Sequence, residues 1–242
     1  MLPLTRHGWR EMLIGTMVLA VTGFVLGLAF WPLALITIPV LIWLFAFFRD
    51  PHRIVPEEQH AVVSPADGTV SDITQIEHDE ILGGPAVRIG IFLSVFNVHV
   101  NRSPCDGRVL RLDYRKGKFI NAMRHDEASS DNESNTIILA EPKGDRPVAV
   151  VRQIVGMIAR RIVCTVKPGD IVARGDRIGM IKFGSRTELY LPMWLEPRVK
   201  VTIGQPVRGA SDVVALLGKP IHTEHVEIDP DLEPLAPRKT PA

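Results

Sequence analysis

At 242 residues the chain is long enough for one good-sized domain and an appendage, not for several domains. Its 28 Lys and Arg against 27 Asp and Glu leave a formal charge of +1, so no broad positive field favours nucleic acid and no such partner is expected. Only two cysteines occur, Cys105 and Cys164, with no CxxC and no zinc-type cluster; this suits a reducing compartment, and no metal is expected.

The first element is apolar. From Met12 to Phe48 no side chain is charged, a run of about 37 residues where about 20 cross a bilayer once. No small-residue cleavage site follows a short apolar core, so a removable signal peptide is not expected. Pro32 divides the run into two pieces of roughly 18 residues, which predicts two short helices in a hairpin, or a partly re-entrant pair. Arg6, His7 and Arg10 precede the run, and Arg49, His52 and Arg53 follow it. The positive-inside rule places both flanks in the cytoplasm, as an even number of crossings requires. The run is not amphipathic at any point, which argues against a buried hairpin of a soluble core. Residues 1–49 are therefore expected to anchor the chain in the cell membrane, with the remainder on the cytoplasmic side.

Residues 50–62 read as a polar, proline-marked linker. Residues 63–220 alternate short β-branched runs with Gly, Pro and Asp turns, as in Val87–Leu93, Thr136–Ala140, Val148–Val151 and Arg161–Val166. That pattern predicts a mainly β (α+β) domain with a sandwich or barrel-like core. Short helices are expected around residues 119 to 128 and 210 to 218. Residues 221–242 form an acidic, proline-rich tail expected to pack loosely. No Rossmann fingerprint, P-loop or nucleophile elbow is present.

Within the β region, Val166 to Gly179 contains two Gly-Asp turns, Gly169-Asp170 and Gly175-Asp176, each followed by apolar residues. They resemble the hammerhead strands of biotinyl- and lipoyl-type folds, and Ser64-Pro65-Ala66-Asp67-Gly68-Thr69-Val70 is a candidate equivalent in an earlier half.

The segment Lys182-Phe183-Gly184-Ser185-Arg186 precedes another apolar run. A serine after glycine is ordinarily a turn. Three further segments change its meaning: Ser64-Pro65-Ala66-Asp67-Gly68, then Phe92-Leu93-Ser94-Val95-Phe96-Asn97-Val98-His99-Val100-Asn101-Arg102-Ser103-Pro104, and Asp131-Asn132-Glu133-Ser134-Asn135. Together with Phe183-Gly184-Ser185, and in this order behind an apolar anchor, they resemble the phosphatidylserine decarboxylases in their short membrane-anchored form, over roughly residues 50 to 215.

The resemblance implies self-cleavage between Gly184 and Ser185. The serine hydroxyl attacks the preceding carbonyl, elimination releases the upstream chain, and residue 185 becomes a covalent pyruvoyl group. Residues 1–184 would become a β chain and 185–242 an α chain, associated as a heterodimer. The pyruvoyl group would form a Schiff base with phosphatidylserine, yielding phosphatidylethanolamine and CO2.

His99 is the candidate for proton transfer, since an imidazole donates and accepts near neutral pH; otherwise it is a core histidine. Asp67 matches an aspartate that supports cleavage, although an Asp-Gly turn explains it equally. A longer bacterial branch carries a second histidine three residues after the first, and here Arg102 stands in its place. Asn132-Glu133-Ser134 departs from a common Asn-Glu-Arg pattern and is given a supporting role, while Arg160-Arg161 is a candidate for an anionic lipid group. Two other readings remain: a pyruvoyl decarboxylase of another amine, and a membrane-tethered biotinyl/lipoyl-like module without enzymatic activity. For a carrier, Lys182 lies poorly, beyond the Gly-Asp turns and between Ile181 and Phe183.

Overall fold

The computed structural model describes residues 3–117, 131–156, 161–182 and 185–221. The helix expected at 119–128 and the tail from residue 222 lie outside the described residues.

The apolar run forms a helical hairpin. Helix α1 (Trp9–Ala29) ends where Phe30 turns extended, Pro32 opens the short α2 (Trp31–Ala34), and α3 (Thr37–Phe47) returns. Arg6–Ala29 is, among the described residues, the one helix long and apolar enough to cross a membrane by length and composition. Its apolar side chains stay largely exposed, Met17, Val21, Phe24 and Leu28 among them. The two ends of the hairpin meet: Thr5 N donates to Phe48 O at 2.9 Å, and Asp50 N to Pro3 O at 2.7 Å. Gly8 permits this closure, because a β-carbon there would overlap the Phe48 ring.

The remainder is β. One eight-stranded antiparallel sheet runs in the order β13 (Pro206–Val207), β2 (Gly68–Asp79), β3 (Gly84–Leu93), β11 (Ser185–Pro192), β7 (Pro147–Val155), β6 (Ser134–Ala140), β5 (Gly107–Arg115), β9 (Ile171–Val172). Two three-stranded sheets complete the domain: β1 (Ala61–Val63), β14 (Val213–Leu217) and β12 (Pro197–Val199), and β4 (Val100–Arg102), β10 (Arg177–Lys182) and β8 (Arg161–Cys164). The main core lies between them, with Ile89, Ile91, Ile137, Val151 and Leu189 of the large sheet against Val62, Val214 and Ile178 of the small ones. This is the predominantly β, sandwich-like core that the turn spacing predicts.

One local expectation is corrected. Residues 213–217 form β14 and not a helix, because Val213-Val214-Ala215-Leu216-Leu217 finds partners on both sides, β1 and β12.

The domain is internally duplicated. Ser64-Pro65-Ala66-Asp67-Gly68 recurs as Ser103-Pro104-Cys105-Asp106-Gly107, and the contacts recur with it. Ser64 Oγ donates to Ala66 O at 2.7 Å and Ser103 Oγ to Cys105 O at 2.8 Å. Asp67 Oδ1 accepts from Gly209 N and Asp106 Oδ1 from Arg174 N, both at 2.8 Å. Val63 N donates to Pro104 O while Arg102 N donates to Pro65 O, each at 2.9 Å, so the halves exchange equivalent bonds. The strand order obeys the same pairing, with β2, β3 and β11 mirrored by β5, β6 and β7.

Candidate active site

Phe183 and Gly184 lie outside the described residues, so the expected cleavage site is approached from its flanks, Lys182 at the end of β10 and Ser185 at the head of β11. β11 sits between β3 and β7, with Ser185 opposite Leu93 on one side and Val155 on the other. Ser185 is fully buried, and its Oγ has no hydrogen-bond partner among the described residues. An unpaired buried hydroxyl ordinarily costs about 1–3 kcal/mol, which marks the atom as unusual.

The face that carries Ser185 is apolar further along β11, at Leu189 and Leu191, but polar next to Ser185. Thr187 Oγ1 accepts from Asn101 Nδ2 at 3.0 Å, Asn101 Oδ1 accepts from Gln153 Nε2 at 2.9 Å, and Gln153 Oε1 accepts from Asn135 Nδ2 at 2.9 Å. Every member is buried and paired, so this network makes a rigid polar floor two residues from Ser185. Asn132, also buried, donates through Nδ2 to Val155 O at 2.8 Å and so steadies the residue opposite Ser185.

His99 enters from the start of β4, where its carbonyl accepts from Ile181 N at 3.2 Å. Ser185 is four positions beyond Ile181, a reach of at most about 14 Å, and Asn101, two residues past His99, bonds Thr187, two residues past Ser185, so His99 and Ser185 belong to neighbouring segments. The imidazole is fully buried, and burial pushes its pKa down from 6.5 to about 4, with the Arg49 charge acting in the same direction. At neutral pH the ring is uncharged. Its Nδ1 lies 3.0 Å from Asn97 O, and a carbonyl only accepts, so Nδ1 carries the hydrogen and Nε2 is the basic nitrogen.

Asp67 immediately precedes β2, which pairs with β3 beside the strand that Ser185 heads. Its Oδ2 accepts from Arg53 Nη2 at 2.6 Å and its Oδ1 closes the turn at Gly209, while burial raises its pKa. Asp106 makes the equivalent turn bond in the other half, so that bond belongs to the duplicated scaffold. Arg102, in the place of a second histidine, points at Asp50 Oδ1 at 2.7 Å and Gly175 O at 3.0 Å. It fastens the segment after the hairpin to the domain. Cys105 is inert, its thiol pushed up to about 12 by full burial, and both cysteines are free. Lys182 is buried and bonded to Glu11 Oε1 at 2.6 Å, so it is not presented as a carrier lysine would be.

The sequence reading missed Phe47, Glu11 and the Asn101–Thr187–Gln153 network. The last had a signal: in Asn101 and in Thr187, polar residues occupy inward positions of otherwise apolar strands. Phe47 and Glu11 had none, since one lies inside the uncharged apolar run and the other just before it.

Ser185 fits the pyruvoyl group that the resemblance implies. Conversion would remove Oγ with the upstream chain and turn Cβ into a methyl group, and no described residue would lose a hydrogen bond with Oγ.

A family model described as phosphatidylserine decarboxylase matches residues 40–215. A phosphatidylserine decarboxylase proenzyme of Rhodopirellula baltica is 45% identical over 214 residues, 88% of each chain. The proenzymes of Carboxydothermus hydrogenoformans, 45% identical over 85% of this chain and 92% of its own, and Burkholderia vietnamiensis, 40% over 88% and 96%, are also similar.

Proposed function

The chain belongs to the phosphatidylserine decarboxylase family, and we propose that it is a proenzyme that cuts itself at Gly184-Ser185 and decarboxylates phosphatidylserine to phosphatidylethanolamine. The observation that carries this reading is the buried Ser185 Oγ, without a partner among the described residues, on a segment that neighbours that of a neutral His99.

In the cut, Ser185 Oγ attacks the Gly184 carbonyl carbon and gives its proton to His99 Nε2. The peptide C–N bond breaks, the freed nitrogen takes up a proton, and an ester replaces the amide. Loss of the Ser185 α-proton then breaks the Cβ–Oγ bond, so Oγ departs in the Gly184 carboxylate. Water replaces the nitrogen of the resulting dehydroalanine, and ammonia leaves. Residue 185 in its pyruvoyl form would supply a ketone carbonyl to hold the substrate amine and to accept the electron pair left by CO2. His99 Nε2, basic at rest, accepts a proton and returns it to the substrate carbon, and the polar floor at Asn101 and Thr187 keeps β11 in place. Asp67 supports the site indirectly, by holding Arg53 and the turn at Gly209.

On this reading residues 1–184 and 185–242 remain together as β and α chains. Residues 1–49 anchor the enzyme in the cell membrane, 50–62 link to the domain at 63–220 on the cytoplasmic side, and 221–242 form a tail. The exposed apolar hairpin between basic flanks supports this arrangement. We further read the Gly169-Asp170 and Gly175-Asp176 turns as hammerhead elements of biotinyl/lipoyl type, supported by the left-handed φ of both glycines and by the internal duplication.

Intact-mass analysis of the purified protein tests the proposal. Two chains split after residue 184 are expected, the smaller blocked to Edman chemistry, and Ser185→Ala should stay whole and inactive. A single uncut chain that decarboxylates phosphatidylserine would refute it.

A further inference from the structure

Glu11 is the one acidic residue of α1, yet its carboxylate faces the β domain. Its Oε1 accepts from Lys182 Nζ at 2.6 Å, across 171 positions of sequence. Lys182 is 5% exposed and ends β10; Ser185, three residues on, is fully buried between β3 and β7. The Gly184–Ser185 bond therefore has two fixed flanks. The downstream flank is held by the large sheet, and the upstream flank by the hairpin.

Other contacts gather at the same corner. Met180 of β10 packs with Met12, Leu44, Phe47 and Phe48 of the hairpin. Phe47 lies on the His99 ring, with centroids 4.3 Å apart. Arg49 Nη2 donates to Phe96 O at 2.8 Å, in the loop that leads to His99.

We infer that the hairpin is a working part of the self-processing site as well as a tether, with Glu11 as a positioning residue that fixes Lys182 and the strand entering the scissile bond. The inference rests on the self-cleavage reading above. Attack by a hydroxyl on a carbonyl needs the reacting atoms about 3–3.5 Å apart, and a displacement of about 1 Å slows such steps on the order of 100-fold. Glu11 acts through Lys182 and touches no reacting atom. One consequence is a coupling: the pyruvoyl group forms in chains whose hairpin has seated on the domain.

The test follows self-cleavage over time in full-length protein in detergent, for wild type, Glu11→Gln, Lys182→Gln and the double variant. Each single substitution should slow cutting on the order of 10- to 100-fold. The double variant should be no slower than the slower single, as one shared interaction requires. Glu11→Asp should recover part of the rate. Single variants that cut at the wild-type rate, or a double variant slowed by the product of both effects, would overturn the assignment. A Ser185→Ala/Glu11→Gln protein that has lost its cooperative melting transition would also overturn it, by making the pair a folding contact. If wild type itself is never cut, the self-cleavage reading fails instead.

Discussion

Phe47 and His99 lie ring against ring, with centroids 4.3 Å apart and planes tilted by 36°. One ring ends the apolar hairpin and the other is the candidate proton carrier, so the hairpin itself seals the imidazole from water. Phe47→Ala should admit water and raise the His99 pKa from about 4 toward 6.5. The acid limb of the pH–rate profile would then move to higher pH, at a stability cost of roughly 3–5 kcal/mol. Paired pH profiles of the two proteins check this; an unmoved limb would separate Phe47 from the titration.

His99 also makes a stability prediction with a definite sign. Its folded pKa, about 4, is below the ordinary 6.5, so between those values the unfolded chain binds more protons. This group costs nothing above pH 6.5, and its penalty grows as pH falls through the window, to roughly 3 kcal/mol. His99→Gln should flatten that part of the pH dependence of thermal inactivation. It should also abolish decarboxylation; wild-type turnover would return His99 to a core role.

Asp67 and Asp106 can be compared directly because duplication gives them the same turn bond. Asp67→Asn should destabilise by roughly 1–3 kcal/mol, since Arg53 loses its charged partner, and should still yield two chains on a denaturing gel. A folded but uncut Asp67→Asn protein would place the carboxylate in the cleavage chemistry.

The α and β chains should stay associated after the cut. β11 pairs along its length with β3 and most of β7, and its Arg186, fully buried, bonds Glu188 Oε1 at 2.9 Å and pairs with Asp72. In detergent without denaturant the processed protein should elute as one species. Arg186→Ala, which takes from buried Glu188 its bonded cation and leaves it Tyr190 Oη and Arg152, should cost roughly 3 kcal/mol and reduce the yield of folded protein.

Much of this molecule was legible along the chain. The uncharged run from Met12 to Phe48 with Pro32 inside it foretold the hairpin, because bilayer-length apolarity and proline breaks are local properties. β-branched runs between turns foretold the β domain, and four ordered motifs singled out Ser185 and His99. The run at 213–217 misled, since a short apolar stretch has no period that separates helix from strand until its partners are known.

The tertiary structure decided the rest. That Arg102 holds Asp50, that Asp67 and Asp106 make equivalent turn bonds, that Ser185 Oγ has no partner among the described residues and that Glu11 reaches Lys182 are all consequences of packing between distant segments. Sequence alone singled out candidate residues for chemistry and an apolar hairpin ahead of them. Only long-range packing, which no local pattern encodes, decided that the hairpin packs against the candidate site it was expected merely to tether.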